Sequence, residues 1–111
     1  MSGITTHILD TSVGRPAAGV PVRLEFEAAD GWAEIGAGAT DGDGRLRDLS
    51  AAAVVSGNYR LTFAVGEYFS QGGVTCFFPE VTITFAVDDA SQHYHVPLLV
   101  SPFGYSTYRG S

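Results

Sequence analysis

His7, His95 and Arg109 are the side chains of this sequence best suited to chemistry at neutral pH. Imidazole titrates close to neutrality and can serve as a general base, whereas a guanidinium stays charged and grips a planar anion through paired donors. Together they suit hydrolysis of a small anionic carbonyl compound. One histidine on a strand is ordinarily structural. Two on terminal strands, with Arg109 on a third, form a combination that packing alone does not require. The chain has six arginines and no lysine, so any cation in a site must be a guanidinium.

These residues need strands to hold them. Along HYHVPLLVS, from His93 to Ser101, one face carries Tyr94, Val96, Leu98 and Val100, and the other His93, His95, Pro97, Leu99 and Ser101. The first set is a core face. The second is mixed, an imidazole among apolar neighbours, and on a lone chain Pro97 and Leu99 would be exposed. A symmetric partner burying them, with sites at the interface, is the economical solution. Ser101-Pro102-Phe103-Gly104 reads as a turn, and Tyr105 to Tyr108 as a returning antiparallel strand beside His95. That strand would fix the direction of Arg109 and place Tyr108 on the face of Ser106, where it could wall off the site. Ile4 to Asp10 is a first strand with Ile4, Thr6 and Ile8 on one face and Thr5, His7 and Leu9 on the other, so His7 shares the mixed character of His95.

The remaining chain is punctuated the same way. Thr11 to Gly19 is a loop, and Val20 to Glu27 alternates, with Val20, Val22, Leu24 and Phe26 inward and Arg23, Glu25 and Glu27 outward. Ala29-Asp30-Gly31 turns into a strand over Trp32 to Ala39. Thr40 to Gly44 is a turn leading to a short strand at Arg45, Leu46, Arg47 and Leu49. Its Asp41-Gly42-Asp43-Gly44 run lacks the downstream bidentate carboxylate of a calcium loop. Ser50 to Gly57 is a connection, and Tyr59, Leu61, Phe63 and Val65 mark another half-buried strand. Gly66 to Gly72 breaks the alternation and predicts one or two helical turns. Val81, Ile83, Phe85 and Val87 give the clearest period of two. Phe77-Phe78 reads as core or edge packing. Seven or eight short strands with one helix describe an all-β antiparallel sandwich.

At 111 residues the chain is expected to form one domain over 1–111, and 45% hydrophobic residues place it among globular proteins. The net charge of −6 argues against nucleic acid or anionic membrane as partner. The single Cys76 cannot form an internal disulfide, which fits a reducing compartment, and reads as a buried structural thiol. With no signal peptide or membrane-length apolar run, the expected location is cytoplasmic. No zinc-type ligand spacing is present, and neither metal nor cofactor is expected.

The closing stretch HYHVPLLVSPFGYSTYRGS resembles the C-terminal signature of the transthyretin-related 5-hydroxyisourate hydrolases, including their final Y-R-G-S tetrapeptide. THILDTSVGRPAAGVPVRL and FFPEVTITF are similar to the same family's strands, so the resemblance spans essentially the whole chain. It implies a transthyretin-like (prealbumin-like) sandwich of two four-stranded sheets, with a short helix after the fifth strand. It implies hydrolysis of 5-hydroxyisourate to 2-oxo-4-hydroxy-4-carboxy-5-ureidoimidazoline in urate degradation, by a homotetramer arranged as a dimer of dimers. The family's active-site positions map onto His7, Arg45, His95 and the tetrapeptide Tyr108, Arg109, Gly110 and Ser111. One of the two imidazoles would activate water. Arg45 and Arg109 would hold substrate oxygens, and Ser111 would bond substrate or anchor the terminus. The rival reading is a transthyretin-like carrier without catalysis, whose channel should be open and apolar.

Overall fold

Alternating strands stack into two layers in the computed structural model, which describes residues 3–50 and 53–111. The strands are β1 (Gly3–Asp10), β2 (Arg15–Pro16), β3 (Pro21–Ala28), β4 (Gly31–Ala39), β5 (Arg45–Leu46), β6 (Gly57–Phe63), β7 (Val81–Val87), β8 (His93–Ser101) and β9 (Gly104–Thr107). The helix α1 (Val65–Gln71) lies between β6 and β7. The connection expected over Ser50 to Gly57 lies partly outside the described residues.

One sheet runs β4-β3-β6-β7, and the other β2-β1-β8-β9 with β5 also paired to β1. Discounting the two-residue β2, these are the two four-stranded sheets that the resemblance implies, and α1 follows the fifth strand. Their inner faces carry the core: Ile4, Ile8, Tyr94, Val96, Leu98 and Val100 from one sheet, and Val22, Leu24, Tyr59, Leu61, Phe63, Val81 and Val87 from the other. Each large aliphatic or aromatic side chain so buried contributes roughly 1.5–3 kcal/mol. The helix adds Val65 and Phe69 to this layer and stops at Gly72-Gly73, Gly73 having a φ of +71°. Tyr68 ties the helix to β1 through a 2.8 Å bond to Asp10 Oδ2. Burial, then the Asp10 carboxylate, push the Tyr68 hydroxyl up to about 12.

One pairing matters more than the rest. β1 and β8 run parallel, in the register Gly3↔His93, Thr5↔His95 and His7↔Pro97. A parallel pair needs a long crossover, and here nearly the whole chain supplies it. On the other side of β1, β5 is antiparallel with His7 opposite Arg45.

Three expectations require correction. Pro97 is buried within the single chain and Leu99 is half-buried, because the C-terminal segment folds back over β8: Thr107 Oγ1 donates to the Pro97 carbonyl at 2.7 Å. Glu25 does face outward, opposite Arg60, but it is buried there. Arg60 grips its carboxylate with Nε at 2.7 Å while stacking on Trp32, and the β-bulge at Leu24/Glu25 affects only the pairing with β4. Phe77 is 70% exposed, so of the Phe77-Phe78 pair only Phe78 is partly covered, edge-on to Tyr105. Cys76 is half-buried, with Sγ donating to the Phe78 carbonyl.

Candidate active site

The outward face of the β1/β8 sheet gathers the polar residues into a grid. Reading across it, Thr5 stands beside His95, and His7 lies between Arg45 and Pro97. A cleft of about 450 Å³ opens there, lined among others by Thr5, Arg45, Arg47, Asp48, His93, His95 and Ser111.

Arg45 is delivered by its turn. Asp41 Oδ1 accepts the backbone N–H groups of Asp43 and Arg45 at 2.9 and 3.0 Å, so its carboxylate folds the turn. Those bonds, the Arg45 one first among them, hold the Asp41 carboxyl below its ordinary value. Gly44 must be glycine: its φ is +75°, and a Cβ would stand 2.4 Å from the Ile8 carbonyl oxygen. Its own carbonyl accepts the Ile8 N–H at 2.8 Å, locking the turn to β1. Among the described residues no carboxylate pairs with the Arg45 guanidinium, which leaves it able to take an anion.

The two imidazoles differ. His7 Nε2 lies 2.8 Å from the carbonyl oxygen of Asp43. A carbonyl only accepts, so this nitrogen carries a proton and donates. His7 therefore braces the turn that carries Arg45. His95 is half-buried in the cleft, its Nδ1 2.8 Å from Thr5 Oγ1. Burial first, then the neighbouring His93, His7 and Arg45, lower its pKa below the ordinary imidazole value. It is thus mainly neutral at pH 7, with Nε2 lacking a protein partner among the described residues.

The C-terminal tetrapeptide divides. Gly110 N–H donates to the His95 carbonyl at 2.8 Å, and Ser111 reaches the cleft. Arg109 is directed elsewhere. Its guanidinium lies 4.3 Å over the Tyr94 ring, with Nη2 donating to Gln92 Oε1 at 2.9 Å. Arg109 and the exposed Tyr108 line a second pocket of about 310 Å³, together with Phe85, Tyr94 and Val96. The expected strand through Tyr108 ends at Thr107. In the register set by Leu98↔Thr107 and His95↔Gly110, Arg109 falls opposite the inward-facing Val96, so it turns away from His95.

The structure thus brings Arg45, His95 and Ser111 into one cleft, keeps His7 and Gly110 adjacent to it, and sets Tyr108 and Arg109 apart. The sequence reading assigned no site role to Thr5, Arg47, Asp48 or His93. Thr5 and His93 were visible as mixed-face neighbours of the chosen histidines. Arg47 and Asp48 had no signal beyond following Arg45. Among the described residues, no three His, Cys, Asp or Glu side chains stand close enough to hold a metal.

Fold and cleft together define a two-sheet β-sandwich that carries an imidazole–guanidinium site on the outer face of one sheet. Residues 4–110 match the model of the HIUase/Transthyretin family, and the chain belongs to that family. It is 49% identical to the 5-hydroxyisourate hydrolase of Caulobacter vibrioides over 115 residues, covering all of both chains. The solved structure of Klebsiella pneumoniae 5-hydroxyisourate hydrolase superposes with a TM-score of 0.87 at 40% identity, covering 99% of this chain and 100% of that one. Transthyretin from Sparus aurata has a TM-score of 0.92 but 31% identity, covering 99% and 97%.

Proposed function

We propose that this chain hydrolyses 5-hydroxyisourate to 2-oxo-4-hydroxy-4-carboxy-5-ureidoimidazoline, as a step of urate degradation. The observation that carries this reading is that His95 shares one cleft with Arg45, whose guanidinium no carboxylate pairs among the described residues. His95 Nε2 takes a proton from water as it attacks a ring carbonyl. Arg45 holds the planar, urate-like oxygens and offsets the negative charge that develops on the carbonyl oxygen. Ser111 offers a hydroxyl at the cleft edge. His7 positions the Arg45 turn, and Gly110 brings Ser111 to His95. The relatives named as hydrolases, similar over the full length, support the same substrate. The carrier reading fits less well, since three imidazoles and two arginines line or flank the cleft.

We further infer a homotetrameric, cytoplasmic protein folded as one domain. β7 and β9 are sheet edges unpaired among the described residues. Leu9 and Leu99 form a half-buried apolar pair on the face that carries the site. The exposed Tyr108 is available to a neighbouring subunit. No helix among the described residues is long and apolar enough to cross a membrane. Incubating the pure protein with freshly generated 5-hydroxyisourate and following its ultraviolet absorbance tests the activity. Decay no faster than in buffer would refute it.

A further inference from the structure

Thr5 holds one hydroxyl between two imidazoles. Its Oγ1 lies 2.8 Å from His93 Nε2 and 2.8 Å from His95 Nδ1, and the two rings are inclined by only 21°. A hydroxyl has a single proton, so it donates to one ring and must receive a proton from the other. Two arrangements satisfy both contacts. In the first, Thr5 donates to His95 Nδ1, and His95 then carries its proton on Nε2 and has no lone pair to offer. In the second, His95 Nδ1–H donates to Thr5, and Thr5 donates to His93 Nε2. His95 Nε2 is then bare.

The geometry points to the second arrangement: Thr5, with His93 as its other partner, fixes the tautomer of His95 so that an unprotonated Nε2 is available at the cleft. Two features select it. Arg45 lines the cleft and acts on His95 as a positive charge, near which a lone pair is favoured over an N–H. His93 is exposed, so it can keep its own proton on Nδ1 in contact with water and accept on Nε2 at no desolvation cost. Burial lowers the pKa of His95 in the same sense, keeping the ring neutral. Thr5 and His93 are positioning residues here. The kinetic part of this inference rests on the hydrolase reading, but the tautomer itself does not.

Nitrogen-15 NMR of the labelled protein, at a pH where His95 is neutral, reads which ring nitrogen holds the proton without any substrate. We expect Nδ1–H with a bare Nε2 in the wild type and in Thr5→Ser. Thr5→Val keeps the shape but lacks the oxygen, and should lose the preference. His93→Phe frees the hydroxyl to donate to Nδ1 and should move the proton to Nε2. In hydrolysis, Thr5→Val and His93→Phe should lower kcat by roughly tenfold with little change in KM, a smaller loss than the ~100-fold of removing a general base. Thr5→Ser should recover the rate. A wild-type His95 protonated at Nε2, or an unchanged tautomer in both Thr5→Val and His93→Phe, would overturn the proposal. A wild type that leaves 5-hydroxyisourate intact would defeat the hydrolase reading while the NMR result still decides the tautomer.

Discussion

Gly110 lies against the imidazole of His95. Its N–H is bonded to the His95 carbonyl, and a Cβ at this position would stand 2.6 Å from His95 Cδ2 and 3.2 Å from Pro97 Cγ. The contact seats the chain terminus and limits how the ring can rotate. Gly110→Ala should displace the tail or tilt the ring, cutting kcat/KM by about tenfold or more, since ångström-scale misplacement is enough for such losses. Its melting temperature should change little, because Gly110 is outside the core. Wild-type kinetics in this variant would mean that the tail seat has no bearing on the site.

The histidines should separate by severity. His95→Asn removes the proposed base and should lower kcat by ~100-fold or more with the fold intact. His7→Asn loosens the brace on Asp43, so its defect should fall mainly on substrate binding through Arg45 and be smaller. Steady-state kinetics of both variants, with circular dichroism to confirm folding, decide this. Equal losses in kcat would place His7 in the reaction itself.

The pH profile follows from the same ring. Deprotonated His95 is the active form, and its folded-state pKa lies below the ordinary 6.5. The acid limb of kcat/KM should therefore be centred below 6.5, with a plateau through neutrality. The sign for stability agrees. Between the folded pKa and 6.5 the unfolded chain binds more protons, so this group's contribution is fully present above 6.5 and declines as pH falls toward the folded value. A limb centred above 6.5 would contradict the burial of His95 and the neighbouring His93, His7 and Arg45 as the controlling influences.

Arg45 tests whether shape or charge binds the substrate. Arg45→Lys keeps the charge but loses the planar fork, so kcat/KM should still fall, by roughly 100-fold if both carbonyl grip and oxyanion stabilisation depend on it. A fully active lysine variant would reduce the role of Arg45 to a point charge.

Strand periodicity made most of the fold legible. Tyr94, Val96, Leu98 and Val100, or Tyr59, Leu61 and Phe63, announce their faces because a half-buried strand must alternate. The short helix announced itself by breaking that rule. Pairing across the chain was less accessible: nothing local to Thr5 or His95 states that β1 and β8 lie parallel, so Thr5 remained an anonymous strand residue. Glu25 keeps the outward parity read from the sequence, and only its cover by Arg60, a partner on β6, had no local signal. The family resemblance supplied Arg45, whose importance rests on pairing opposite His7 and has no signature in spacing. The direction of Arg109 was out of reach for the same reason: only the register Leu98↔Thr107 and His95↔Gly110, which continues unchanged past Pro97, puts it opposite the inward-facing Val96.

The position of Arg109 yields the sharpest contrast between two roles. If it binds substrate directly, Arg109→Met should raise KM strongly, because an anion would lose its charged partner. The structure supports an anchoring role instead: the guanidinium lies on Tyr94 and bonds Gln92, and it immediately precedes the Gly110–His95 contact. An exposed cation–π contact of this kind is worth about 0.5–1 kcal/mol, enough to bias a tail of four residues but not to hold the sandwich together. Arg109→Met should therefore cost several-fold in kcat/KM and leave the melting temperature nearly unchanged. Deleting Tyr108 to Ser111 removes the Gly110 seat and the Ser111 groups as well, so it should reduce activity by ~100-fold or more, comparable to losing a catalytic group. Kinetics of the point variant and the truncation, measured side by side, settle the order. If Arg109→Met alone were as damaging as the deletion, with the loss confined to KM, the guanidinium would have to reach substrate, and its seat on Tyr94 would not be its working position.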